Sequence, residues 1–168
     1  MKYFVFSDLH GSLSGMERTF AAISKEKPDV VVCLGDILYG AFDTNQAKVI
    51  ELFKSIKAPI IAVKGNCDYP GDEHALGFDL PEYWSFDIGM HTVHLSHRPS
   101  YLAFPPGDAT ICGHTHIKTL YREGGVIHGN PGSVSRPRDD GPSYMIIEDG
   151  VFSLVDLDSG ETLRSLTW

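Results

Sequence analysis

Three short apolar runs occupy the first part of the chain, and each gives way to a residue suited to water or to a cation. Tyr3-Phe4-Val5-Phe6 stops at Ser7-Asp8, Val30-Val31-Val32-Cys33-Leu34 stops at Gly35-Asp36, and Pro59-Ile60-Ile61-Ala62-Val63 leads to Gly65-Asn66. Short apolar runs without alternation are what strands covered on both faces require. Helical patterns separate them. Leu13, Met16, Phe20 and Ile23 recur at helical spacing before Pro28, with Ser14 and Glu17 placed as a capping box. A second helix is expected over about residues 43–57, with Val49, Ile50, Phe53 and Ile56 inward. Strand, helix, strand, helix, strand at this spacing predicts a parallel sheet with right-handed crossovers. Loops leaving the carboxyl ends of parallel strands open into one crevice. Asp8, His10, Asp36 and Asn66 should therefore meet in space.

The second half reads as short strands separated by turns. Candidate strands cover residues 91–96, 109–112, 119–122, 126–128, 144–148, 151–157 and 162–166, with Asp149-Gly150 as a hairpin turn. Two sheets packed face to face, the early helices covering the first, are the most economical architecture. Nothing marks a domain boundary, so residues 1–168 are read as one domain. Residues 99–107 and 136–142, rich in Pro and Gly, are expected as surface loops.

A formal net charge of −8 argues against a protein that grips long nucleic acids through many phosphates. The longest aliphatic or Cys run, Val30 to Leu34, falls far short of the roughly 20 residues of a membrane span. The N-terminal run reaches Ser7-Asp8 too soon for a signal peptide, so a cytoplasmic location with three free thiols is expected.

Further imidazoles follow later strands. His97 ends the run that starts at His91, and Gly113-His114-Thr115-His116 follows Ala109-Thr110-Ile111-Cys112. Two histidines at i and i+2 after a strand are hard to explain as packing. Their strands need not be parallel to the first three, so only their chemistry places them in the same crevice. Carboxylates, an amide oxygen and imidazoles, without an obligatory thiolate, suit Mn²⁺, Fe, Zn²⁺ or a similar divalent ion. Asp8, His10, Asp36, Asn66, His97, His114 and His116 are too many ligands for one ion with an open position. They suit two ions sharing a bridging carboxylate, about 3.5–4 Å apart, which clamp a phosphoryl group and activate a water at neutral pH.

Asp8-x-His10, Gly35-Asp36, Gly65-Asn66-Cys67-Asp68, His97 and Gly113-His114-x-His116 resemble, in order and spacing, the calcineurin-like metallophosphoesterase superfamily. Gly129-Asn130-Pro131-Gly132-Ser133 resembles its small bacterial phosphodiesterase branch. The resemblance implies an α/β fold, a four-layer α/β/β/α sandwich of two packed mixed sheets flanked by helices. It implies that Asp8, His10, Asp36 and His116 hold a first metal. Asp36, Asn66, His97 and His114 would hold a second, with Asp36 bridging. The implied activity is that of a metal-dependent phosphodiesterase whose bridging hydroxide attacks phosphorus. Mn²⁺ is the first expectation for both ions, with Fe, Zn²⁺, Ni²⁺ and Co²⁺ as alternatives. A small phosphate ester is the expected partner, with no long nucleic acid and no membrane; a homo-oligomer, dimer or tetramer, is left open.

Two positions depart from the pattern of many relatives. Cys67 stands where a histidine commonly contacts the phosphate, and its thiol, lowered near cations, would be a poor proton donor. Esters with good leaving groups are then expected substrates. Arg98 follows His97 where relatives usually continue Gly-His; it is either a forked phosphate donor or a solvated loop residue. Asn66, His114, Cys67 and Arg98 are thus the candidate catalytic residues. The alternatives are a phosphomonoesterase or nucleotidase, a scaffold on the same fold like the small retromer subunit, and a nucleotide sensor that binds without turnover.

Other residues carry weaker expectations. Cys33 and Cys112 read as core, His91 and His94 as surface residues, and His74 as part of a loop over residues 71–77. His128 is expected beside a turn with a supporting role, and Asn130-Pro131-Gly132 as a type II turn beside the site. Asp68 either orients a ligand or caps the next segment. Tyr39, Tyr69, Tyr101 and Phe104 lie on loops near the crevice, as an aryl or base pocket, a subunit contact or ordinary loop packing.

Overall fold

The computed structural model describes residues 1–39, 46–99 and 103–168; the expected start of the second helix and Tyr101 lie outside them. Strands β1 (Lys2–Phe6), β2 (Val30–Cys33) and β3 (Ile60–Ala62) are parallel, with Phe4 level with Val31 and Val32 level with Ile61. Each is covered on both faces, which is why its apolar run shows no alternation. Phe4, Phe6, Val31 and Cys33 face helices α1 (Leu13–Glu26) and α2 (Gln46–Lys54), where Met16, Ile23, Val49 and Phe53 are buried. Tyr3, Val5, Val32 and Leu34 point the other way, into the second sheet. Burying one such side chain fully contributes about 1.5–3 kcal/mol.

Strands β9 (Ser143–Glu148), β10 (Val151–Asp156) and β11 (Thr162–Thr167) extend the first sheet antiparallel beyond β1, giving the order β11-β10-β9-β1-β2-β3. The hairpin falls at Asp149-Gly150, where both residues have positive φ, 50° and 77°. That is the requirement of a tight turn between twisted strands.

The second sheet contains β4 (Tyr83–Ile88), β5 (His91–Ser96), β6 (Ala109–Ile111), β7 (Thr119–Glu123) and β8 (Val126–Asn130), in the order β4-β5-β6-β8-β7. Val93, Leu95, Ala109, Ile111 and Ile127 on its inner face are buried against the first sheet. β5, β6 and β8 are parallel to one another. The sandwich therefore has a second set of carboxyl strand ends, and His97, His114 and His116 leave from two of them. This supplies the structural reason that the sequence lacked for grouping the late histidines.

Several local expectations change. The N-cap of α1 is Ser12, whose hydroxyl accepts from the Gly15 N–H at 3.1 Å, so Ser14 and Glu17 do not form the cap. Helix α2 ends at Lys54. The loop expected around His74 is α3 (Pro70–Leu76), opened by Pro70 and closed by Gly77. β4, whose mostly exposed residues mix polar and aromatic types, lies outside the strands expected from the sequence. Among the described residues no helix is long and apolar enough to cross a membrane.

Candidate metal centre

The loops that follow the strands are stitched together before any side chain is considered. Asp8 N–H donates to the Gly35 carbonyl at 3.2 Å, His10 N–H to Asp36 at 2.8 Å and Gly11 N–H to Ile37 at 2.9 Å. Across the second sheet, Gly113 N–H donates to the His97 carbonyl at 2.9 Å. Asp8, His10, Asp36, His114 and His116 all have positive φ, between 49° and 66°. Non-glycine residues rarely adopt this conformation, and its cost persists only where the surroundings over-determine it, typically at functional sites. The other two described non-glycine residues with positive φ, Lys27 and Asp149, close a helix and a hairpin.

All seven candidate ligands come together. His116 Nε2 lies 3.1 Å from His10 Nε2 and 3.3 Å from Asp8 Oδ1. His10 Nε2 is 3.7 Å from Asp36 Oδ2. The same Asp36 oxygen is 3.4 Å from His97 Nε2, which lies 3.1 Å from Asn66 Oδ1 and 3.3 Å from His114 Nδ1. Asp36 Oδ2 is thus shared by two groups of ligands.

The hydrogen bonds behind these atoms fix what they can offer. His97 Nδ1 donates to the Leu34 carbonyl and His116 Nδ1 to the Arg136 carbonyl, both at 2.7 Å, which leaves each Nε2 lone pair aimed into the site. Asn66 Nδ2 donates to Cys67 Sγ at 3.2 Å, turning Oδ1 toward His97. Acceptors then face acceptors, and Asp8 Oδ1 is buried without a hydrogen-bond partner among the described residues. Such a cluster calls for positive charge, and its oxygen and nitrogen donors fit divalent metal ions.

Titration follows the same logic. Burial opposes a charge on His97, yet the hydrogen bond and charge of Asp36 and the Leu34 carbonyl raise its pKa. Burial also opposes ionisation of Asp36, but His97 and the Cys67 N–H, at 2.7 Å from Oδ1, bring it down to about 2. His10 falls to about 4, chiefly through burial. Burial, followed by the charges of Asp36 and Asp68, pushes the Cys67 thiol up to about 11. The protein groups alone therefore hold Cys67 as a thiol; the expected thiolate tendency concerns the site with its cations.

Two glycines admit the ligands. A Cβ on Gly65 would collide with the Asp36 carboxylate and backbone nitrogen, and one on Gly113 with Ser7 Oγ and Asp8 Oδ2. Asp68 holds the backbone of the candidate ligand Asp36: its carboxylate accepts from the N–H groups of Gly65, Asp36 and Ile37, each at 2.8 Å. Burial nevertheless keeps its pKa above the ordinary value.

Arg98 is exposed but lines, with Asn66 and His97, a cavity of about 630 Å³, and its charge helps lower His114 after burial and His97. A second cavity, of about 420 Å³, adjoins His10 and contains Tyr39 and Arg136. The Arg136 guanidinium stands 5.3 Å from the Tyr39 ring centroid. Ser133, the last residue of the Gly129–Ser133 motif, and Ser135 donate their hydroxyls to the Asp8 carbonyl at 2.8 and 3.0 Å; Ser135 and Arg136, the latter expected in a surface loop, are functional candidates with no motif of their own. The Gly129–Ser133 motif was the available signal. Its Asn130 amide donates to the Gly113 carbonyl at 2.7 Å and to Thr115 Oγ1 at 3.0 Å, while Gly132, with φ 76°, completes the turn.

Of the other side chains, Cys33 lies in the core as expected and Tyr39 beside the site, while His94 and His128 are placed differently. His128 stacks on Tyr121 at 5.0 Å in a cross-strand pair. His91 stacks on Trp168 at 4.7 Å, and His94, largely covered, faces Asp108 and Tyr83. Tyr69 caps α3 and is exposed, as is Tyr39, while Phe104 packs on His94. Cys33 is fully buried and Cys112 partly so.

The profile of the calcineurin-like phosphoesterase superfamily domain matches residues 1–149. The chain belongs to this superfamily. Among curated members, phosphodiesterase YfcE of Escherichia coli strain K12 is 33% identical over 170 aligned positions, covering 94% of this chain and 92% of the relative. The solved structure of YfcE, described as a phosphoesterase from E. coli, superposes with a TM-score of 0.91 at 28% identity, covering 99% of each chain. The Zn²⁺ complex of Vps29 from Entamoeba histolytica shares the superfamily architecture, with a TM-score of 0.66 at 19% identity over 99% of each chain.

Proposed function

We propose that the chain is a divalent-metal-dependent phosphodiesterase with a two-ion centre. The observation that carries this reading is Asp36 Oδ2, which lies 3.7 Å from His10 Nε2 on one side and 3.4 Å from His97 Nε2 on the other. Asp8, His10, Asp36 and His116 would hold one ion, and Asp36, Asn66, His97 and His114 the other. When bound, such ions supply Lewis-acid polarisation of the phosphoryl oxygens and a hydroxide nucleophile at neutral pH. The likeness to phosphodiesterase YfcE favours diesters.

The chain's own residues then divide the remaining work. Leu34 and Arg136 carbonyls fix the two imidazoles, and Asp68 fixes the Asp36 backbone. His114 and Arg98 would stabilise the charge that grows on the phosphoryl oxygens, and forked N–H donors such as Arg98 suit that charge. Cys67, a thiol whose pKa falls beside cations, gives weak proton transfer to a departing alcohol.

Mn²⁺-stimulated hydrolysis of bis-p-nitrophenyl phosphate tests the reading. Asp36→Ala should lower the rate by about 10³-fold or more, with the far-ultraviolet circular dichroism unchanged. Absence of turnover with every divalent ion would favour a scaffold instead. Across a series of aryl diesters the rate should fall steeply as leaving-group pKa rises; a flat series removes the reading of Cys67.

A further inference from the structure

The cavity of about 630 Å³ beside Asn66 and His97 reaches His94 and Thr110 on the second sheet and is walled there by rings. His94 on β5 stacks on Phe104 with centroids 4.3 Å apart and planes 28° from parallel. Tyr83 on β4 lies against the same imidazole at 6.1 Å and 28°. Hydrogen bonding holds that imidazole in place. Its Nε2 faces the Asp108 carboxylate at 3.1 Å and its Nδ1 faces the Tyr83 hydroxyl at 2.7 Å. Asp108 is itself held by the Thr92 N–H at 3.1 Å. Phe104 and Tyr83 thus each lie 28° from the plane of the imidazole and line the cavity with it; Phe104 is half-buried and Tyr83 is 49% exposed, leaving ring surface for a ligand.

Charge narrows what the wall suits. Arg98 and Lys64 line the cavity, but so do Glu82 and Asp68. Lys64 is paired with Glu73 at 3.3 Å, and Asp68 is occupied by backbone N–H groups. The cavity carries no surplus of cations for a second phosphate. Aromatic faces favour stacking with a flat ring, worth about 0.5–1.5 kcal/mol beyond area burial, and a cavity of this size falls in the usual range for a small ligand.

We infer that this cavity takes one ester group of the substrate, and that this group carries a flat aromatic ring, aryl or nucleobase, stacked along Phe104 and Tyr83 with its phosphate at Asn66 and His97. The inference rests on the phosphoesterase reading and narrows its substrate class. Phe104 and Tyr83 determine specificity, and His94, locked by Asp108, positions Phe104.

The test is binding to the Mn²⁺-loaded protein by calorimetry, using inorganic phosphate, methyl phosphate, phenyl phosphate and adenosine 5′-monophosphate. At least one ring-bearing ligand should bind about tenfold more tightly than methyl phosphate, and the tighter of the two names the source of the ring. Phe104→Ala should bring that preference to within about twofold while leaving methyl phosphate binding unchanged. Tyr83→Ala, at an exposed edge-strand position, serves as a second variant if Phe104→Ala disturbs the loop. Equal binding of methyl and ring-bearing phosphates to the unmodified protein overturns the inference, as does a preference that survives both substitutions. If neither inorganic nor methyl phosphate binds, the phosphoesterase reading itself falls.

Discussion

Asp68 touches no candidate ion position, yet it sets where Asp36 can be. Its carboxylate accepts three backbone N–H groups at 2.8 Å, from Gly65, Asp36 and Ile37, so the turns after β2 and β3 share one anchor. An amide in its place offers one acceptor oxygen and turns donors against donors. Asp68→Asn should cost about 1–3 kcal/mol in urea unfolding. It should also raise the Mn²⁺ concentration for half-maximal activation by about 10–100-fold, the usual effect of losing a ligand's support. Cys67 gives a contrasting expectation. p-Nitrophenolate leaves without help from a proton donor, so Cys67→Ser should leave the rate on p-nitrophenyl esters within about threefold. Asp36, by contrast, was legible only jointly with the polar residues at the other strand ends, because Gly35-Asp36 alone reads equally well as a strand-end turn.

At the level of elements, helix α1 is held at both ends by groups from other parts of the chain or its own cap. Ser12 caps its first turn, and Ser12→Ala should lower stability by about 1 kcal/mol. At the other end Glu26 accepts from Lys2 Nζ at 2.6 Å and from Tyr144 Oη at 3.0 Å, joining the helix to β1 and β9. Burial works against its ionisation, but these two hydrogen bonds and the neighbouring lysines bring its pKa below the ordinary value. A carboxylate depressed in the folded state stabilises above its unfolded pKa, and that contribution is lost as pH falls through the folded one. Glu26→Gln should therefore cost up to about 1 kcal/mol at pH 7. Its unfolding midpoint should converge on that of the parent below about pH 4. The helix itself was legible from Leu13, Met16, Phe20 and Ile23. Its cap was not, because Ser12 and Ser14 are equally plausible until the direction of the chain leaving the Leu9–Gly11 turn is known.

The whole molecule carries a formal charge of −8 and concentrates acceptors at one edge of its sandwich, where Asp8 and Asp36 meet four imidazoles. Cations that bind the folded site and not the unfolded chain must stabilise the fold, by about 2.7 kcal/mol at a hundredfold excess over the dissociation constant. Added Mn²⁺ should raise the unfolding midpoint of the parent protein, and Asp36→Ala should remove most of that rise. Calorimetric scans with and without chelator measure both. An equal rise in the variant would mean that the ions bind elsewhere.

The sequence by itself determined the parallel core of the first sheet and the identity of the candidate ligands, because uninterrupted apolar runs and the polar residues ending them are local features. Residue type alone also grouped His114 and His116 with the other candidate ligands. Only the tertiary structure decided that β5, β6 and β8 are parallel, that Arg136 and Leu34 lend their carbonyls to the imidazoles, and that His94 belongs to a ring-lined cavity. Those are relations between segments distant in sequence, and side-chain or backbone partners chosen across such distances leave no periodicity for a linear reading to find.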